Sequence, residues 1–190
     1  MRKNKALAIT AGIRGNSNST GAARYFCSAV EEKNYSTELV DINMLKIAPC
    51  SACGECEKNL KCRVKDDAGF LIKKVEKADM VIAAAPVYFT GVPSPLKAFI
   101  DRNQVKWQEY KKSRGGKNKK SKKGVIILTA GEGKPGYFKP AESEIKSFFA
   151  VNNIKTGAVL RFSGMDPEGE VKKKKYLNRI KKAAEKATAG

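Results

Sequence analysis

Five short apolar or alternating stretches, each followed by a polar turn and then a longer stretch of helical spacing, set the rhythm of this chain. The runs are Lys5–Thr10 (KALAIT), Ser36–Asn43, Asp79–Ala85 (DMVIAAA), Gly124–Ala130 (GVIILTA) and Ile154–Leu160. Runs of this length predict strands, and near-continuous ones such as Asp79–Ala85 predict strands buried on both faces of a parallel sheet. Helical patterns fall between them. They cover about Gly21–Lys33, a segment from Asp66 or Asp67 to about Lys77, a segment opened by Pro93 and Pro95, then Pro140–Asn152 and Val171–Thr188. Leu96, Phe99 and Ile100 form one buried stripe, and Ile145, Phe148 and Phe149 another. Asp66 or Asp67 reads as an N-cap without further chemistry, proline suits a first helical turn, and the lone Trp107 reads as packing. The alternation predicts an α/β fold, a doubly wound five-stranded parallel sheet covered on both faces. At 190 residues the chain suits a single domain over 1–190, large enough to bury roughly 70% of its unfolded surface.

Three polar or aromatic loops follow strands one, three and four. In a flavodoxin-like order, 2-1-3-4-5, strands one and three flank the switch point where a ligand binds. The first loop, Gly12 to Thr20, is rich in glycine, hydroxyls and amides and opens onto a helix. Backbone N–H groups and the helix dipole make such a terminus an anion site. Ser17, Asn18, Ser19 and Thr20 add donors and Arg14 adds charge. The plainer alternative is that Asn18, Ser19 or Thr20 merely caps the helix. No Gly-Lys-Ser/Thr follows, so this is not a Walker loop. The second loop, Pro86-Val87-Tyr88-Phe89-Thr90-Gly91-Val92-Pro93, suits a flat ring lying against backbone, or else aromatics that cover the core. The third, Gly131-Glu132-Gly133-Lys134-Pro135-Gly136, formally matches G-x-G-x-x-G. It follows a late strand, contains a proline and lacks the distal acidic residue, so it reads as a ligand-facing loop rather than a dinucleotide fingerprint.

After strand two comes PCSACGECEKNLKC, Pro49 to Cys62, a loop over 49–62 with cysteines at 50, 53, 56 and 62, spaced C-x2-C-x2-C-x5-C. Disulfides suit it least, because the cysteine total is odd and the apolar N-terminal run reads as a strand rather than a secretory signal; a reducing cytoplasm is expected. Structural zinc usually uses two separated knuckles. Two consecutive x2 steps and a closing ligand favour an iron–sulfur cube. Zinc, or a loop that binds nothing, stays open.

Charge changes the picture of partners. Lys and Arg number 38 against 19 acidic residues, a formal net charge of +19, and there is no histidine. Histidine bases, Ser–His triads and histidine-ligated metals are therefore excluded from this chain. The charge favours an acidic protein, nucleic acid or an anionic surface. Aromatics do not interleave with the basic tracts and no nucleic-acid motif is present, so a nucleic-acid module rests on charge alone and is the weakest reading. No apolar run is long enough to span a membrane. Lys111–Lys123 (KKSRGGKNKKSKK) is expected to be a solvated, mobile basic loop, 111–123.

Taken together, Gly12 to Ser19, the segment Pro86-Val87-Tyr88-Phe89, and Pro95-Leu96-Lys97-Ala98-Phe99-Ile100-Asp101-Arg102 resemble the NADPH-dependent FMN reductase superfamily. The compact four-cysteine loop is similar to that of its iron–sulfur flavoproteins. The resemblance implies a flavodoxin-like fold, with Arg14, Ser17, Asn18 and Ser19 on an FMN phosphate. Pro86, Val87, Tyr88, Phe89 and Gly91 would line the isoalloxazine, with Ala130, Gly131 and Glu132 approaching from the third loop. Cys50, Cys53, Cys56 and Cys62 would ligate a [4Fe–4S] cluster. It also implies a homodimer or homotetramer, with the cluster of one subunit close to a neighbour's flavin, an acidic ferredoxin-type electron donor and a small-molecule acceptor. Gly12 and Ile13 stand where the superfamily usually has Ser-Pro, so one phosphate hydroxyl is expected to be missing. The alternative is a cluster-free NAD(P)H-dependent FMN or quinone reductase.

Overall fold

Each expected strand forms within two residues of its predicted ends: β1 (Asn4–Thr10), β2 (Tyr35–Asp41), β3 (Met80–Pro86), β4 (Lys122–Thr129) and β5 (Ile154–Phe162). In the computed structural model, which describes residues 3–113, 121–131 and 134–189, they pair in the order β2-β1-β3-β4-β5, all parallel. The helices are α1 (Asn18–Glu31), α2 (Glu55–Asn59), α3 (Asp67–Lys77), α4 (Ser94–Arg102), α5 (Gln104–Lys112), α6 (Lys139–Val151) and α7 (Lys174–Thr188).

The pleat sorts the strand side chains between two cores. Leu7, Ile9, Val81, Ala83, Ile126 and Leu128 pack with Leu71 and Val75 of α3, Leu96 and Phe99 of α4, and Ile145, Phe148 and Phe149 of α6. Ala6, Ala8, Met80, Ile82, Val125 and Ile127 pack with Phe26 and Val30 of α1 and Tyr176 and Ile180 of α7. Burial of each such large side chain stabilises the fold by about 1.5–3 kcal/mol. β3 and the second half of β4 are covered on both faces, whereas β2 and β5 alternate towards solvent, which explains why only the middle strands read as unbroken apolar runs.

Departures from expectation have local causes. The helix opened by Pro95 stops at Arg102, because the Asn103 amide donates to the Phe99 carbonyl (2.8 Å) and accepts from Asn152 (3.0 Å), turning the chain into α5. Trp107 on α5 is 41% exposed and stacks on Tyr110 rather than filling the core. The last helix is entered through a 3-10 turn, Glu170–Lys172, and begins three residues after Val171. The ends of the basic tract lie in regular structure, Lys111 and Lys112 in α5 and Lys122 and Lys123 in β4; 114–120 lie outside the described residues. Among the described residues no helix is long and apolar enough to cross a membrane.

Candidate functional site

The carboxyl ends of β1, β3 and β4 meet at one cleft, lined by Ile13, Arg14, Asn16, Ser17 and Asn18 from the first loop, Pro86, Val87 and Tyr88 from the second, and Thr129, Ala130 and Gly131 from the third. Ser17 is the N-cap of α1, yet its side chain makes no cap bond; its hydroxyl pairs with that of Ser19 (2.9 Å). The first helical bond runs from the Gly21 N–H to the Ser17 carbonyl (2.8 Å). The N–H groups of residues 18, 19 and 20 therefore have no acceptor within the helix. The Thr20 hydroxyl is buried without a partner. The capping alternative thus fails, and the uncapped helix terminus, through Ser17 and Asn18, lines the cleft.

The individual side chains divide the labour differently from expectation. The Asn18 amide donates to the Met165 and Pro167 carbonyls (2.8 Å each) and accepts from the Val171 N–H (3.0 Å). Its side chain ties α1 to the loop after β5, leaving only its backbone N–H for an anion. Ser19 is buried and does not line the cleft. A Cβ on residue 12 would stand 2.0 Å from the Ser17 Oγ, so the Ser17 hydroxyl occupies the space that the replaced serine would need. Glu132 lies outside the described residues. The loop after β5, which sequence patterning left unassigned, brings Met165, Asp166 and Glu168 to the cleft; its only sequence signal is that it too leaves a strand at the carboxyl edge. The Asp166 carboxylate sits where a Cβ on Gly131 would be, 2.0 Å from the ideal position.

The second loop is a two-residue turn. Tyr88 and Gly91 exchange both backbone hydrogen bonds (3.0 Å each), and Phe89 and Thr90 between them have φ of 48° and 68°. Such a turn favours Asn-Gly, and left-handed backbone costs about 1–2 kcal/mol for each ordinary residue. It is held by α6: the Ala141 N–H donates to the Thr90 carbonyl (3.0 Å) and the Val92 N–H to the Glu144 carboxylate (3.2 Å). Phe89 is fully exposed and, like Gly91, lies outside the cleft lining.

A second cavity, of about 380 Å³, is walled by all four cysteines of the 49–62 loop together with residues of α4 and α5. It shares no lining residue with the first. Ala52, Gly54 and Leu60 take left-handed conformations (φ 52°, 73° and 54°) that wind the loop around it. The Glu55 N–H bonds the Cys53 thiol and holds its pKa below the usual value; burial, reinforced by the other three sulfurs, pushes that of Cys56 up. Like charges crowded in this way disfavour one another unless a cation lies between them. Among the described residues no three cysteine or carboxylate side chains are gathered as ligands of a single metal ion; the sulfurs stand around a space. Cys27, the fifth cysteine, is buried in α1, and burial raises its thiol to about 11.

The base of that loop is closed by a buried pair that sequence patterning missed. Arg102 Nη1 donates to the Ala48 carbonyl (2.9 Å) and to Asp66 (2.6 Å), and Nη2 to the Val64 carbonyl (3.0 Å). Asp66 in turn accepts from the Ala48 N–H (2.9 Å) and caps α3 through the Ala68 N–H (3.0 Å). Burial alone would raise the Asp66 pKa, but Arg102 and the two N–H groups hold it below the ordinary 3.8. Asp66 is therefore a cap and also a clasp. The sequence signal lay in Asp101-Arg102 at the end of α4, visible only as part of a resemblance.

The family model for NADPH-dependent FMN reductases matches residues 4–163. An iron–sulfur flavoprotein of Methanocaldococcus jannaschii is 33% identical over 100 residues, 53% of this chain and 52% of that protein. An FMN-dependent NADH:quinone oxidoreductase of Gluconobacter oxydans is 32% identical over 126 residues, 62% of this chain and 61% of its own length. The chain thus spans about half to three-fifths of these curated relatives. A solved NAD(P)H:quinone oxidoreductase from Methanothermobacter marburgensis superposes with a TM-score of 0.70 at 18% identity, covering 96% of this chain and 94% of that one; at that identity the likeness speaks for the fold.

Proposed function

The chain belongs to the NADPH-dependent FMN reductase family, and on that premise we propose that it is an FMN-dependent electron-transfer oxidoreductase with a [4Fe–4S] cluster in the cysteine-walled cavity. The observation that carries the flavin is the uncapped start of α1, opening where the Pro86–Tyr88 loop ends. The N–H groups of residues 18–20, Ser17 and Arg14 would hold the phosphate. Pro86, Val87 and Tyr88 would lie along the ring, with Ala130 and Gly131 opposite, and Asp166 and Glu168 offer carboxylates to ribityl hydroxyls. Four thiolates around a space rather than a point suit a bulky cluster better than one ion, since zinc–sulfur bonds of about 2.3 Å would draw the sulfurs close together. When bound, FMN takes electrons singly or in pairs and an iron–sulfur cluster passes them one at a time, so together they convert between the two.

The enclosed part of the flavin cleft is about 90 Å³, small against the roughly 300–1,000 Å³ of small-molecule sites. This chain walls the phosphate end, and a second copy in a homodimer or homotetramer would cover the ring. The exposed Ile13, Tyr88 and Phe89 at this edge support that arrangement. The donor would be an acidic ferredoxin-type protein and the acceptor a small oxidant; the surroundings would be cytoplasmic. An anaerobic visible spectrum with an iron count tests the reading. Flavin bands with a broad reducible absorbance and four irons per chain are expected; flavin without iron overturns the cluster.

That outcome would favour the second reading, a cluster-free NAD(P)H-dependent FMN or quinone reductase. Its support is the FMN-dependent NADH:quinone oxidoreductase relative. Rapid bleaching of flavin by NADPH alone would mark it.

A further inference from the structure

Arg102 does more in the cysteine cavity than its hydrogen bonds to the loop require. The guanidinium is 2% exposed and lines the cavity. Its Nη atoms serve the Ala48 and Val64 carbonyls and Asp66. Its Nε is buried and has no hydrogen-bond partner, an arrangement that is costly unless something supplies an acceptor. Cys62 walls the same cavity, and interaction with its sulfur helps hold the guanidinium in its charged form. Asp66 does not supply the missing acceptor where it stands: its Oδ2 receives the Ala48 N–H and Nη1, its Oδ1 receives the Ala68 N–H, and neither pairs with Nε.

We propose that Arg102 is a positioning residue of the cysteine cavity, bracing both ends of the loop and directing its free Nε–H at the sulfur side of an anionic iron–sulfur cargo. This rests on the cluster reading above. The brace follows from placement: residues 48 and 64 bracket all four cysteines, so one planar fork sets the width of the loop's base. Lysine presents a point charge and cannot hold these carbonyls and a sulfur together. The donor has a second consequence. Hydrogen bonds to the sulfurs and local charge set the potential of such clusters, and each electron added makes the cargo more negative. A buried cation with an unpartnered N–H therefore favours the reduced state.

Anaerobically reconstituted wild type, R102K, R102M and D66N provide the test, read by iron content, cluster midpoint potential, and tryptic cleavage of the apo loop at Lys58 and Lys61. R102K and R102M are expected to be cut several-fold faster and to lower the midpoint by about 59 mV, a tenfold shift for one electron. D66N is expected to be cut faster but not to lower the midpoint, since the cation and its donor remain and a nearby negative charge is lost. If R102M does not fold, R102K carries the comparison. An unchanged midpoint in R102K, or D66N lowering it as far as R102K does, overturns the proposal while iron-replete wild type leaves the cluster reading standing. Wild type that takes up no iron overturns both.

Discussion

At the start of α1 the Ser17 hydroxyl turns to Ser19 and away from the helix's own N–H groups. Gly12 makes this possible, because any side chain there would displace Ser17. G12A is therefore expected to weaken FMN binding about tenfold, the loss of roughly one charge-assisted hydrogen bond. Riboflavin, which lacks the phosphate, should bind G12A and wild type alike; fluorescence titration of both ligands checks the difference. Asn18 behaves oppositely, holding structure rather than ligand. N18A would leave the buried Met165 carbonyl and Val171 N–H unpaired and the Pro167 carbonyl with only the Glu170 N–H (3.4 Å), so a loss of about 2–3 kcal/mol is expected in denaturant unfolding.

Among the elements, the Tyr88–Gly91 turn stores strain where the proposed ring would lie. Replacing Phe89-Thr90 by Asn-Gly should relieve about 1–2 kcal/mol per residue, offset by about 0.5–1 kcal/mol of glycine entropy. A net gain of about 1–3 kcal/mol, at about 2–4 °C in Tm for each kcal/mol, is expected in thermal melts. Under the proposed function, flavin affinity or turnover should fall in the same variant, because strain held at a functional loop is retained for its geometry. The Asp66–Arg102 clasp carries a pH signature. The folded pKa of Asp66 lies below its unfolded value, so its contribution is complete above about pH 4 and is lost as pH falls through the folded value. D66N is expected to be less stable than wild type by about 3 kcal/mol at pH 6, and the gap should narrow at pH 3 in paired melts.

For the whole molecule, a net charge of +19 acts at a distance that no single contact does. If an acidic ferredoxin-type carrier is the donor, its association rate should fall steeply between 20 and 200 mM salt, as screening shortens to roughly 7 Å. Stopped-flow reduction measured against ionic strength reads this directly. A rate insensitive to salt would point instead to a small neutral reductant.

The sheet was legible because its cause is local. β1, β3 and β4 are apolar runs ended by turns, and strand–helix alternation leaves few parallel topologies. The four cysteines and the glycine–hydroxyl loop were legible for the same reason, since their spacing lies within one segment. What only the tertiary structure decided is how distant segments divide the work. Asn18 reaches 147 residues along the chain to Met165, and Arg102 reaches 54 residues back to Ala48. Asp166 arrives at Gly131 from beyond β5. No periodicity encodes such meetings: a pattern repeats along the chain, whereas a buried polar group takes whichever partner the folded packing brings within about 3 Å.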